Sequence, residues 1–210
     1  MQLNLNSLID YLTDSSEGEV AIIDFTGLNL ISKQNLFQFS IFDRDALGKT
    51  LHEIQSTPLE TSKENIISKL IIIDHAYLLN TQEEQTEIFY VKDHVNLSTL
   101  NPLIGTISRV GEPRFFPVNE IYLKPSGLIS DSKKGTEVEV LNSCTVAGLN
   151  SKAKPNIDEM KILNEAGISH YCYNLVLTSL MAAHKDFKIL GLVVVENHNQ
   201  LNTKLQKVNQ

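Results

Sequence analysis

The stretch "ILGLVVV", Ile189–Val195, points most directly to the architecture. It is a continuous apolar run with no polar residue in alternation. A strand wetted on one face alternates apolar and polar side chains, so an unbroken run reads as a strand buried on both faces, as in a parallel sheet. "VAII" (Val20–Ile23) and "LIII" (Leu70–Ile73) show the same pattern. "IFYVK" (Ile88–Lys92) and "VEVLNSCTVAG" (Val138–Gly148) add strands of mixed character.

Helical signals fall between these runs. Asn156 followed by Glu159 is a capping-box pair, and Pro155 stops any earlier helix from continuing. Ile157, Met160 and Leu163 share one face of the helix, and Gly167 stands where a C-cap glycine belongs. Leu177, Leu180, Met181 and His184 are spaced for a second helix, which Tyr173 and Asn174 enter, Asn174 as a suitable N-cap. Leu5, Leu8, Ile9 and Leu12 suggest a helix in the first dozen residues. The stretch Asn101 to Gly135 is rich in Gly, Pro and Ser and reads as loop with a short extended piece. No repeat or composition shift marks a second domain, so residues 1–210 are expected to form one α/β domain around a mostly parallel sheet.

Composition narrows the function classes. With 42% apolar and 20% charged residues the chain is ordinary for a soluble globular protein. A net charge of −7, with Lys152 and Lys154 as the nearest approach to a basic cluster, argues against a nucleic-acid or anionic-membrane surface. The N-terminus has no signal-peptide pattern, and no apolar run approaches a membrane span. Cys144 and Cys172 form no CxxC pair and sit among apolar residues, so buried free thiols and a cytoplasmic location are expected.

In open α/β sheets, ligands gather beyond the carboxyl ends of strands. By that rule the informative loops carry Asp24 and Thr26, Asp74 and His75, Asp93 and His94, Tyr173 and Asn174, and Glu196, Asn197 and His198. Each has a plain structural reading. Asp24 and Asp74 can cap the turns after their strands, and Asp93–His94 can be a hydrogen-bonded structural pair. His75, Glu196 and His198 lack local metal-ligand spacing, so no metal is expected.

Several blocks resemble the purine nucleoside phosphorylase family, in particular its trimeric, low-molecular-mass branch. They are "AIIDFTGLNL", "DHVNLSTLNPLIG", "PRFFPVNEIY" and "TVAGLN" running on to "ILGLVVVENH", in that order. The resemblance implies a mixed central sheet curled into a distorted barrel and flanked by helices. It also implies cleavage of purine nucleosides by phosphate without metal or cofactor, and a homo-trimeric assembly.

Residue by residue, the carry-over thins. The family's Gly-Ser-Gly-Leu-Gly phosphate loop is matched by Phe25-Thr26-Gly27-Leu28-Asn29, which keeps a hydroxyl at Thr26 but loses two glycines. The His and Gly-Arg-x-His segments that clamp phosphate have no counterpart; Arg44 and His52 are the nearest candidates and fit no motif. The Asn-Ala-Ala-Gly-Gly turn, whose backbone binds phosphate and base, becomes Asp74-His75-Ala76-Tyr77-Leu78. The purine-holding Phe-Glu becomes something near Lys154-Pro155, the Met-Ser that contacts ribose and phosphate becomes Tyr173-Asn174, and the Thr-Asn after the last strand becomes Glu196-Asn197. Thr26, Ala76, Tyr173, Asn174 and Asn197 are thus the candidate substrate-binding residues, and no catalytic residue is assigned.

Losing one charge-assisted contact costs about 1.5–3 kcal/mol, and several are lost together. The expectation is a pseudoenzyme-like family member with weak or no phosphorolysis, still able to bind a nucleoside, purine base or phosphate. Two alternatives stand beside it. One is a remodelled, hydrolase-like nucleoside-processing enzyme using Asp24, Asp74 or Glu196; the other is a structural subunit.

Overall fold

The computed structural model describes residues 5, 8, 9, 12, 20–28, 35–56, 58–59, 62–79, 87–105, 117–125, 141–150 and 152–195, with side chains at 58–59, 62–66 and 87 left aside. Strands β1 (Val20–Asp24) and β2 (Leu36–Gln38) are followed by helix α1 (Arg44–Ser56). A small hairpin of β3 (Pro58–Leu59) and β4 (Ser62–Ile66) leads to β5 (Lys69–Leu78) and β6 (Glu87–Asn96). Then come β7 (Asn142–Gly148), helix α2 (Ile157–Glu165), β8 (His170–Cys172), helix α3 (Leu175–His184) and β9 (Lys188–Val195).

The main sheet has 7 strands in the order β2-β1-β5-β8-β7-β6-β9, and a further pairing of β5 with β9 closes part of it into a barrel. β5 runs parallel to β1 over Lys69–Ile73 and to β9 over Lys69–Ala76, while Ala76–Leu78 pair antiparallel with β8. β6 is parallel to β7 and antiparallel to β9, and β7 is parallel to β8. The mixed, mostly parallel barrel expected from the apolar runs and the family blocks is therefore the observed architecture.

The period of two along each strand sorts the runs onto two apolar layers. Ala21, Ile23, Leu70, Ile72, Ile189 and Val193 join one core cluster with Leu47, Leu51 and Ile54 of α1 and most of α3. Val20, Ile22, Ile71, Ile73, Leu190, Leu192 and Val194 join a second, which the helical Leu5, Leu8, Ile9 and Leu12 cover. Both faces are covered, which is why these strands read as unbroken apolar sequence. Where α3 crosses β7, a Cβ on Gly148 would lie 2.7 Å from Val176 Cβ, so only glycine allows that approach.

Helix α2 ends as its sequence predicts. Asn156 Oδ1 accepts from the Asp158 and Glu159 amides at 3.0 and 2.9 Å, while Glu159 Oε2 accepts from the Asn156 amide at 2.8 Å. At the other end Gly167 has φ +80°. Its amide donates to Asn164 O and that of Ile168 to Leu163 O, each at 3.0 Å, the Schellman pattern.

Two strand ends differ from expectation. β5 continues through Leu78 and β6 through Asn96, so Asp74, His75, Asp93 and His94 lie within strands and not in loops after them. Residues 138–140 of the expected seventh strand lie outside the described residues. Helix α1 had no counterpart in the sequence reading, although Leu47, Leu51 and Ile54 at i, i+4, i+7 carry its buried stripe and Asp43 Oδ1 accepts from the Ala46 amide at 2.9 Å.

Candidate functional site

The C-terminal end of β1 is organised by Asp24, which is fully buried. Its Oδ1 accepts from the Thr26 amide at 2.8 Å and from the Thr26 hydroxyl at 2.6 Å, and Oδ2 accepts from Gln38 Nε2 at 3.3 Å. Gly27 follows at φ +61°, in the left-handed region that glycine enters without a Cβ penalty. His75 Nε2 lies 3.0 Å from Thr26 O and ties this turn to β5. The local capping reading of Asp24 is correct.

Asp74 behaves differently. It sits inside β5, 1% exposed, and its carboxylate reaches the N-terminus of α3. Oδ2 accepts from the amides of Asn174 at 2.8 Å and Leu175 at 2.9 Å. Oδ1 accepts from Asn174 Nδ2 at 2.9 Å and from the His75 amide at 2.9 Å. Burial pushes the Asp74 carboxyl above its ordinary range, and the hydrogen bonds from Asn174 and Leu175 oppose that shift. Asn174 takes the N-cap position, but its side chain makes no cap hydrogen bond. Its Oδ1 instead accepts from the Phe42 amide at 2.8 Å, linking α3 to the turn before α1. The expected roles of Asp74 and Asn174 are thus corrected. The cap of α3 is a carboxylate from a distant strand, because a buried helix end leaves amides that need an acceptor.

Beside this point three tyrosines meet. The rings of Tyr77 and Tyr171 stack with centroids 5.1 Å apart, and Tyr173 lies 5.8 Å from Tyr77 and 6.0 Å from Tyr171. Tyr173 Oη donates to Ala153 O at 3.1 Å. Burial raises Tyr171 to about 12 and also raises Tyr173, so the phenols stay protonated near neutrality. Ala76 is 1% exposed and belongs to the main core cluster, on the opposite face of β5 from Tyr77.

No family model matches the chain. Purine nucleoside phosphorylase 1 of Bacillus subtilis (strain 168) is 22% identical over 181 residues, covering 86% of this chain and 64% of that protein. The chain therefore spans 64% of the length of that curated relative. Schistosoma mansoni purine nucleoside phosphorylase in a complex with BCX-34 superposes with a TM-score of 0.61 at 12% identity, covering 94% of this chain and 89% of that one. A Schistosoma purine nucleoside phosphorylase in complex with guanosine gives 0.59 at 14%, covering 92% and 84%. The fold is that of purine nucleoside phosphorylase.

In this phosphorylase-like chain, most of the sequence-derived site residues fall at one end of the barrel. Thr26 meets the His75 side chain next to Ala76, and Asn174 and Tyr173 stand across from them at the entry to α3. Asn197, Glu196 and His198 lie outside the described residues. Arg44 and His52 do not join the group: Arg44 Nη2 donates to Ile104 O at 2.6 Å, and His52 is on the exposed side of α1. Among the described residues no three His, Cys, Asp or Glu side chains are grouped to hold a metal ion. Cys144 and Cys172 are buried free thiols. Burial raises Cys144 to about 12 and Cys172 well above the usual thiol range, so neither is a thiolate at neutral pH.

The Asp93–His94 pair of the phosphorylase-like signature forms no side-chain dyad. Asp93 Oδ1 accepts from the His94 amide at 2.8 Å, while the His94 ring meets Tyr122 edge-on at 5.5 Å. Burial lowers the His94 pKa and Asp93 opposes that. The following loop satisfies itself: Asn96 Oδ1 accepts from the Ser98 hydroxyl at 2.6 Å, and Asn96 Nδ2 donates to Leu100 O at 2.9 Å. His94 Nδ1 is buried and has no hydrogen-bond partner among the described residues.

Two features escaped the sequence reading. The Asp74–α3 cap joins residues 100 positions apart, and no local pattern announces it. A cleft of about 310 Å³ opens between the loop after β6 and helix α2, lined in part by Leu97, Leu149 and Ile162.

Proposed function

We propose that this protein is a purine nucleoside phosphorylase-like chain whose phosphate-holding groups are occupied by its own carboxylates, so that it does not run phosphorolysis at an enzyme's rate. The observation that carries this reading is the Asp74 carboxylate on the N-terminus of α3. A helix N-terminus is a ready anion site because its amides point outward with positive polarity. Here those amides already hold an internal anion. The family resemblance places phosphate against this entry, against Thr26 and against the Asp74–Leu78 segment. The Thr26 hydroxyl is likewise given to Asp24, a second buried carboxylate that would repel phosphate.

The tyrosine group supports the same reading for the nucleoside. Tyr77 stands where the resemblance has a glycine, and its ring fills space against Tyr171 and Tyr173. Asp24 and Asp74 are each committed to several donors, which also disfavours a hydrolase reaction using either as the working carboxylate. The protein then acts as a binding or interaction member of its fold group, in the cytoplasm and as a homo-oligomer. Exposed Leu100, Ile104 and Val118 support an association surface.

Incubation with inosine, with and without phosphate, followed by chromatography for hypoxanthine, tests the proposal. No release above the uncatalysed background is expected in either condition. Phosphate-dependent turnover of about 1 per second or faster, the range of ordinary enzymes, overturns it. Turnover indifferent to phosphate overturns it in favour of hydrolysis.

A further inference from the structure

We infer that the open edge of β2 is a self-association surface, on which the same edge of a second copy of this chain lies antiparallel across a two-fold axis. The inference goes beyond the reading above and does not depend on the loss of phosphorolysis.

The edge is open on one side. β2 stands at one end of the strand order, and among the described residues β1 is the strand it pairs with. The Ile22 amide donates to Asn35 O and the Phe39 amide to Asp24 O, each at 2.9 Å, so Asn35, Phe37 and Phe39 turn their backbone groups towards β1. In a ladder the alternate residues turn theirs away. The N–H and C=O of Leu36 and Gln38 therefore point out of the sheet, as a template for another strand.

The sequence leaves this edge unprotected. Natural edges carry charge, proline or a bulge against pairing. "NLFQFSIF", Asn35–Phe42, has no charged residue and no proline, and β2 keeps an unbroken register with β1. Leu36 packs half-buried against one core layer and Phe37, Phe39 and Phe42 against the other, while Ile41 is 51% exposed. A strand laid alongside covers apolar area on both faces of the sheet.

Symmetry and charge select the occupant. In an antiparallel pair centred on Phe37, Leu36 of each copy faces Gln38 of the other, and the two exchange both backbone hydrogen bonds. Phe37 then meets its own copy in the non-hydrogen-bonded position, about 4.5 Å apart at Cα, where the two rings form a stabilising cross-strand pair. The edge is thus complementary to itself without any change of register. Copies of a chain with a net charge of −7 repel one another, and an uncharged edge adds no like charges to that repulsion.

Sedimentation velocity over a concentration series of the full chain tests the proposal, and the wild type is expected to self-associate. Gln38→Pro removes an outward N–H and leaves the bonds to β1 with Phe37 and Phe39. It should weaken association at least about thirtyfold, the worth of one hydrogen bond from each copy. Gln38→Ala loses the same side chain but keeps the N–H, and should associate like the wild type, with circular dichroism unchanged in both variants. Phe37→Cys sets two thiols at the axis and should give a covalent dimer on mild oxidation, because Cys144 and Cys172 are buried and do not compete. Should Gln38→Pro fail to fold, the Phe37→Cys result decides alone. A monomeric wild type overturns the proposal, whether the edge is then covered by a foreign strand or by another part of this chain. Equal association of Gln38→Pro and Gln38→Ala, or no covalent dimer from Phe37→Cys, overturns it in favour of a different surface.

Discussion

Asp24 and Asp74 occupy almost equivalent places. Each follows a run of isoleucines, they sit on adjacent parallel strands with Asp24 paired to Ile73, and both are buried. Yet Asp24 serves its own turn through Thr26, whereas Asp74 serves a helix 100 residues away. The same short pattern thus yields a local cap in one case and a tertiary joint in the other. What differs is the surroundings: β1 ends at Asp24 and the chain turns, while β5 runs on and is met by α3. A buried carboxylate takes whichever amides need an acceptor, and only the closed barrel brings the α3 amides to Asp74.

Substitutions can break this comparison. Asp74→Ala leaves the Asn174 and Leu175 amides and the Asn174 side chain without their acceptor in the interior. It should cost about 3–5 kcal/mol, read as a shift in the urea midpoint at constant slope. A cost under about 1 kcal/mol would mean that the joint is dispensable.

A third buried polar residue sharpens the contrast. His170 has Ser169 Oγ 2.7 Å from Nδ1, while its Nε2 has no partner among the described residues. Burial lowers its pKa from 6.5 to about 4. A depressed folded pKa means that His170 contributes stability above pH 6.5, lost as the pH falls towards about 4. His170→Phe should flatten the stability profile across that window, by about 3 kcal/mol at its acid end. An unchanged profile would show that this imidazole is not held neutral.

Asp24→Ala comes last, at about 1–2 kcal/mol, because it removes bonds from one partly buried turn and from the exposed Gln38 of β2, donors that can reach water. Should it destabilise as much as Asp74→Ala, the distinction between local and tertiary caps fails.

Much of the barrel was legible in residue order because its signals are local. Unbroken apolar runs at Val20–Ile23, Leu70–Ile73 and Ile189–Val195 became β1, β5 and β9, and Asn156, Glu159 and Gly167 marked both ends of α2. Helix α1 was missed because its apolar stripe, Leu47, Leu51 and Ile54, is narrow, most of its other positions are polar, and Gly48 interrupts it. The candidate site was only half legible. Thr26, Ala76, Tyr173 and Asn174 do come to one end of the barrel, but residue order did not disclose what each side chain would touch.

Periodicity, caps and turn chemistry act over a few residues, so strand identity, helix ends and the family blocks can be read along the chain. Closure of β5 onto β9, the Asp74 bridge to α3, the tyrosine stack and the cleft beside α2 depend on contacts across the whole fold. Such contacts are set by which buried donors, rings and apolar walls the closed sheet brings together, and they exist only once it has closed.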